Sequence, residues 1–215
     1  MPKLISPLLK AFDSILAQSE MDCERLRSIG GKNVQIGGNI KYDAPPLATD
    51  KNSSLTLLNN IGGRPCWLAA STHIGDEILI ADVHQKLSGK IPELLTLIAP
   101  RHPDRAKSIG EILQFKGLDS AFRSKGQRIK SDTNVYVADT IGEMGLLYTV
   151  VEIVLIAGSF DSHGGHNPVE PALLNNALLA GPDMKNFEDA NYKEQIMAVH
   201  KRFRDVRYWQ AIKRT

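Results

Sequence analysis

A chain of 215 residues with 42% apolar side chains holds enough hydrophobic material for one large α/β domain, or for one domain and part of another. Its 26 basic and 24 acidic side chains nearly cancel, which leaves no overall field to favour nucleic acid or membrane and places recognition in local sites. Cys23 and Cys66 stand far apart with no CxxC or histidine-spaced metal pattern, no signal peptide precedes them, and no run approaches the roughly 20 apolar residues of a membrane span, so the chain reads as cytoplasmic.

In chain order, the pattern predicts a helix over Pro2 to Phe12, a short strand over Ser14 to Gln18, and a helix over Ser19 to Ile29 capped by Ser19 and stopped by Gly30-Gly31. Val34 to Gly37 makes a second strand. Ala44-Pro45-Pro46 and the polar stretch to Ser54 read as an interdomain linker, which divides the chain into residues 1–43 and 44–215. Beyond it, helices are expected at Ser54 to Asn60, Asp76 to Leu87, Pro103 to Phe115, Glu143 to Val150, Val169 to Leu174 and Phe187 to Phe203. They alternate with strands at Cys66 to Ala70, Leu94 to Ala99, Val135 to Ala138, within the apolar run Val150 to Ala157, and at Ala177 to Ala180. Such alternation implies a doubly wound, Rossmann-like parallel sheet, whose ligands lie beyond the carboxyl ends of the strands.

The polar clusters fall at those ends. The longest is Gly158-Ser159-Phe160-Asp161-Ser162-His163-Gly164-Gly165-His166-Asn167-Pro168-Val169-Glu170, a glycine-rich turn leading into a proline helix start with an acid in its first turn. Free amides and the positive end of a helix there would suit a phosphate. Glu170 is too near that position to be a phosphate ligand and suits the paired hydroxyls of a ribose. Arg101, after a strand and a proline, could meet a phosphate with two parallel hydrogen bonds, or be an ordinary surface arginine. Asp139-Thr140-Ile141-Gly142-Glu143-Met144 could turn its amides to a base or phosphate, or merely cap a helix. Ser71, Thr72 and His73 could each donate to an anion, although Ser and Thr after a strand most often cap the next helix.

Other chemistries fit less well. His73, His102, His163 and His166 would gather at one sheet edge, but no thiolate and no HExxH pattern completes a zinc set, so no metal and no cofactor is expected. Ser159 lies in Ala-Gly-Ser-Phe-Asp and not in a Gly-x-Ser-x-Gly elbow, which argues against nucleophilic hydrolysis. The segment His200 to Thr215 carries six cations against Asp205, with Phe203, Tyr208 and Trp209 interleaved. It could touch anionic headgroups peripherally, or be a solvated face or a frayed tail. Binding of a nucleotide-activated group is the strongest reading of the residues.

At this point the residues resemble the Kdo transferases, which transfer 3-deoxy-D-manno-octulosonic acid (Kdo) from CMP-Kdo to a lipid A precursor. The resemblance rests on Ala17-Gln18-Ser19-Glu20, Gly38 to Asp43, Ala70-Ser71-Thr72-His73 with Asp76-Glu77, Pro100-Arg101-His102-Pro103-Asp104-Arg105, Asp139-Thr140 through Tyr148, Gly164 to Ala172, and Gly181-Pro182 with Asn186-Phe187, in the family's order. It implies a GT-B glycosyltransferase of two facing Rossmann-like domains and an inverting transfer without metal. Residues 44–215 would be the CMP-Kdo domain and residues 1–43 a remnant of the acceptor domain. Arg101 would pair with the CMP phosphate, Asn167 and Glu170 would hold the ribose and nearby donor groups, and Gly142 to Met144 would lie against the nucleotide. Ser71, Thr72, His73, His102, Gly164, Gly165 and His166 complete the expected donor site. The family's glutamate base and membrane anchor lie before the point where this sequence starts, so catalysis by this chain alone is not expected. The intact enzyme would work at the cytoplasmic face of the inner membrane. A noncatalytic nucleotide-binding half, the partner of a separate N-terminal chain, or a UDP-sugar enzyme such as an epimerase are the alternatives.

Overall fold

The computed structural model describes residues 2–38 and 45–187, the first three of these by backbone alone. The expected helix Phe187 to Phe203 and the basic segment after His200 lie outside the described residues, apart from Phe187 itself. The chain divides into two compact units, Met1–Pro45 and Pro46–Thr215.

The first unit contains helix α1 (Pro2–Leu9), strand β1 (Ile15–Ala17), helix α2 (Glu20–Ser28) and strand β2 (Val34–Ile36), with β1 and β2 paired in parallel. Ser19 caps α2 by accepting from the Asp22 amide, and the Gly31 amide closes its end on Leu26 O at 2.8 Å. Ala17, Cys23 and Val34 form its small core. Leu16 and its partner Gln35 form an exposed face of this two-stranded sheet, with Leu16 70% exposed, while Ile36, on the same face as Val34 and Ala17, is 57% exposed at the strand end.

The second unit runs α3 (Lys51–Ile61), β3 (Cys66–Thr72), α4 (Asp76–Ser88), β4 (Leu95–Pro100), α5 (Ala106–Phe115), β5 (Ser120–Phe122), β6 (Val135–Val137), α6 (Met144–Val150), β7 (Ile153–Ile156), α7 (Val169–Leu173) and β8 (Ala177–Ala180). The six strands make an all-parallel sheet in the order β5-β6-β4-β3-β7-β8. Alternation along each strand splits the interior into two layers. Leu68, Leu97, Tyr136 and Ile156 face α3 and α6, whereas Trp67, Ile98, Val137 and Leu155 face α4 and α5. Right-handed crossovers require this separation, because the chain first builds the sheet toward β4 and then returns past β3 to β7.

Several boundaries differ from the sequence reading. Val150 ends α6, so the apolar run that begins there contributes only Ile153–Ile156 to a strand. Asp50, accepting from Ser53 N at 2.7 Å, starts α3 three residues before the expected Ser54. Ser120–Phe122 adds a strand where none was expected. An apolar cavity of about 510 Å³, lined by Trp67, Leu87, Ile153 and Leu179 among others, opens at the amino ends of β3 and β7, at the opposite end of the strands from the polar clusters.

One ion pair pins two of the loops at the carboxyl edge. Glu77, fully buried, receives both Arg105 amino groups at 2.7 and 3.0 Å and the Thr72 hydroxyl at 2.8 Å. Removing one partner of a buried pair leaves an uncompensated charge. We therefore expect Arg105→Met to lower unfolding stability by about 3–5 kcal/mol in chemical denaturation, while a surface change such as Lys107→Met has little effect.

Candidate functional site at the sheet switch point

The order in which strands are added reverses between β3 and β7, and in open parallel sheets such a switch opens a crevice beyond the strand ends. Ser71, the last residue but one of β3, has a φ of +62°, at the register shift between Ala70 and Thr72. This left-handed residue turns the chain out of the sheet and delivers His73 to the crevice. Asp76, at the first turn of α4, then joins the two sides: its Oδ2 accepts from His73 N at 2.9 Å and from Gly158 N, 82 residues away, at 3.1 Å.

Four histidines meet above that carboxylate. His73 Nε2 lies 2.6 Å from His166 Nε2 with the ring planes within 9° of parallel, so the rings share one hydrogen and one must donate while the other accepts. His163 stacks on His73 at 4.1 Å, and His102 meets it edge-on at 6.2 Å. Asp161 receives His163 Nδ1 at 2.5 Å and the His163 amide at 3.0 Å. Burial first, then His73, Arg101 and His163, push the His166 imidazole down to about 4, against a weaker opposing pull from Asp161. His73 is lowered too, chiefly by burial and by His163. Both shifts favour the uncharged form of the pair. Among the described residues no group of three or more ligating side chains is arranged to hold a metal ion.

Four amides of the expected backbone cradle for an anion are occupied from within. The Gly158 amide is held by Asp76, Gly165 N by Gly158 O at 2.8 Å, His163 N by Asp161, and Val169 N by Asn167 Oδ1 at 3.0 Å. Helix α7 has only five residues, and Pro168 stands just before it, not at its first position. The loop glycines have a packing reason: a Cβ at Gly164 would lie 2.7 Å from Asn186 Nδ2, and one at Gly165 would lie 2.2 Å from Met184 Sδ. Both have positive φ.

The remaining residues divide between free and committed groups. Arg101 is exposed at the end of β4, and its guanidinium has no hydrogen-bonding partner among the described residues. Glu170 Oε1 accepts from Asn167 Nδ2 at 3.0 Å, so this half-buried pair is preset as one unit. Thr72 is fully buried and spends its hydroxyl on Glu77, which removes it as an anion donor. Glu143 is bound by Arg123 through both oxygens and by the Thr140 hydroxyl, and these contacts hold its carboxyl below the usual range. It can offer a ligand only its backbone. Gly142, at φ +83°, has open space around it, and Met144 packs on the core. Asp76 and Ser159 are the organising side chains that the sequence did not single out as site residues. Ser159 is fully buried and fixes the turn by donating to Ile156 O and accepting from Gly181 N. An acid in the first turn after a strand was the available signal for Asp76.

Two outcomes follow from this geometry. Asp76→Ala leaves two amides without their acceptor and should cost about 2–4 kcal/mol of stability by denaturant titration. His166 has a lower affinity for protons folded than unfolded, so its contribution to stability is complete above about pH 6.5 and is lost as pH falls toward 4. His166→Asn should therefore flatten the decline in melting temperature over that window.

Comparisons with known proteins identify the family. Residues 1–44 match the family model described as 3-deoxy-D-manno-octulosonic-acid transferase (kdotransferase). The 3-deoxy-D-manno-octulosonic acid transferase of Haemophilus influenzae is 34% identical over 185 residues, covering 81% of this chain and 42% of that protein. The enzyme of the same name from Rickettsia bellii is 31% identical over 182 residues, covering 85% and 43%. Among solved structures, the C-terminal CMP-Kdo binding domain of WaaA from Acinetobacter baumannii superposes with a TM-score of 0.61 at 27% identity, covering 70% of this chain and 95% of that domain. The chain spans less than half the length of the curated relatives it matches. By these likenesses the chain belongs to the Kdo transferase family.

Proposed function

We propose that the second unit binds a CMP-activated Kdo donor at the β3/β7 crevice and serves as the donor-binding half of a Kdo transferase. The observation that carries this reading is the Arg101 guanidinium just after β4, without a hydrogen-bonding partner among the described residues and on the same sheet edge as the Asn167–Glu170 pair. Beside it stands the near-complete coverage of a solved domain described as binding CMP-Kdo. In this reading Arg101 meets the phosphate, Glu170 accepts from the ribose hydroxyls while Asn167 steadies it, and the open turn at Gly142 admits the base or sugar. Departure of CMP places charge on the phosphate, and fixed cationic donors lower the cost of that charge. The acceptor would be a lipid A precursor and the setting lipopolysaccharide synthesis at the cytoplasmic face of the inner membrane. No helix among the described residues is long and apolar enough to cross a membrane.

A second reading concerns the first unit. Its exposed Leu16 and Ile36 favour completion of the two-stranded sheet by further strands, either from the same protein or from a separate chain. That completion would supply the acceptor side.

Calorimetric titration with CMP and UDP tests the donor reading. CMP should bind saturably and more tightly than UDP, and Arg101→Ala and Glu170→Ala should each weaken it by roughly 10- to 100-fold, in keeping with about 1.5–3 kcal/mol for a charged hydrogen bond. A folded protein that binds neither nucleotide, or both equally, would overturn it.

A further inference from the structure

The histidine pair has a property that donor binding alone does not require. Two imidazoles joined Nε2 to Nε2 at 2.6 Å hold one hydrogen between them, and the joined nitrogens cannot both be protonated without breaking the contact. They sit against the turn at Gly158, where a Cβ would come within 3.3 Å of either ring, so the bare glycine is what leaves room for the pair. The charged groups around them are Asp76 from α4, Arg101 and His102 from the end of β4, and Asp161 and His163 from the glycine-rich loop. Four of the loop amides, those of Gly158, His163, Gly165 and Val169, are already bonded within the protein. Backbone amides carry no full charge, so the positive charge that meets an incoming phosphate comes from side chains, and Arg101 supplies one.

We propose that His73 and His166 act as a single proton-binding unit that becomes cationic when a nucleotide phosphate is seated at the switch point, so that binding draws a proton from solution. The inference rests on the donor reading above. Before ligand arrives, burial and the neighbouring rings keep the pair uncharged. A phosphate beside it reverses the balance, since an opposite charge favours the protonated form. The chemistry gives this a direction. In a sugar nucleotide the phosphate is a diester with one negative charge. When the sugar–oxygen bond breaks, the bonding pair stays on the phosphate oxygen, which becomes a monoester with a second charge. A pair that has already taken a proton from solvent meets that second charge with a positive one, and the proton need not be handed over. His73 and His166 are thus positioning residues for the departing phosphate.

The probe is the methyl ester of CMP, whose single phosphate charge does not change between pH 6 and 8, with cytidine as the uncharged control. Binding is measured by calorimetry across that range in buffers of different ionisation enthalpy, and ¹⁵N resonances of the histidine rings are followed in the unaltered protein. We expect net proton uptake on binding the ester, affinity that rises toward acid pH by up to about tenfold per unit for a full linked proton, imidazolium shifts at one ring of the pair, and no uptake with cytidine. In His166→Asn the pH slope should vanish while cytidine still binds, which separates this outcome from misfolding. Ester binding with a flat pH profile, or a slope that survives in the variant, would overturn the proposal and leave the donor reading intact. Failure of the folded protein to bind any cytidine ligand would overturn both.

Discussion

The carboxylate of Asp76 holds together the two strand ends between which the site lies. Without an acceptor shared by His73 N and Gly158 N, the loops after β3 and β7 would have no common reference, because 82 residues of chain separate them. The cost of burying that charge is offset by the two amides that face it, and the amides in turn gain a partner that no strand could supply. The Glu77–Arg105 pair repeats the device one residue further along, tying α4 to the segment after β4. Two adjacent acids at the start of one helix therefore fix three loops of the carboxyl edge.

This arrangement changes what the glycine-rich loop is for. Its small residues permit close approach of the 183–186 segment, and four of its amides are spent on Asp76, Asp161, Asn167 and the loop itself. Those internal bonds brace the loop at both ends and at its middle. Recognition then passes to side chains that stand on a rigid base: Arg101, the Asn167–Glu170 pair and the histidine cluster.

Much of this was legible in the sequence, and the exceptions have physical causes. The alternation of apolar strands with helices announced a parallel sheet because both faces of each strand must be buried, as Leu68 and Ala69 are on β3. Glycine pairs and caps such as Ser19 and Gly30-Gly31 signalled helix ends through local hydrogen bonding alone. Ser120–Phe122 escaped notice because three residues carry too little periodicity, and its strand exists only through pairing with β6. The Val150–Ala157 run was ambiguous for the opposite reason: apolarity continued across a helix end and a strand start. Thr72 and Glu143 look like ligands in one dimension because their partners, Glu77 with Arg105 and Arg123, arrive from elsewhere in the fold. Asp76 was overlooked as a site residue because its second amide lies beyond any local window.

The contrast between an exposed Arg101 and a half-buried histidine pair divides recognition into two regimes of ionic strength. In physiological salt, mobile ions screen exposed charges over roughly 8 Å, so Arg101 can attract a nucleotide only at close range and loses influence as salt rises. Charge generated on the half-buried pair beside Gly158 is less open to those ions. Capture of an anion at this edge would accordingly depend on the medium, whereas retention, once the anion is seated, would depend on the fold.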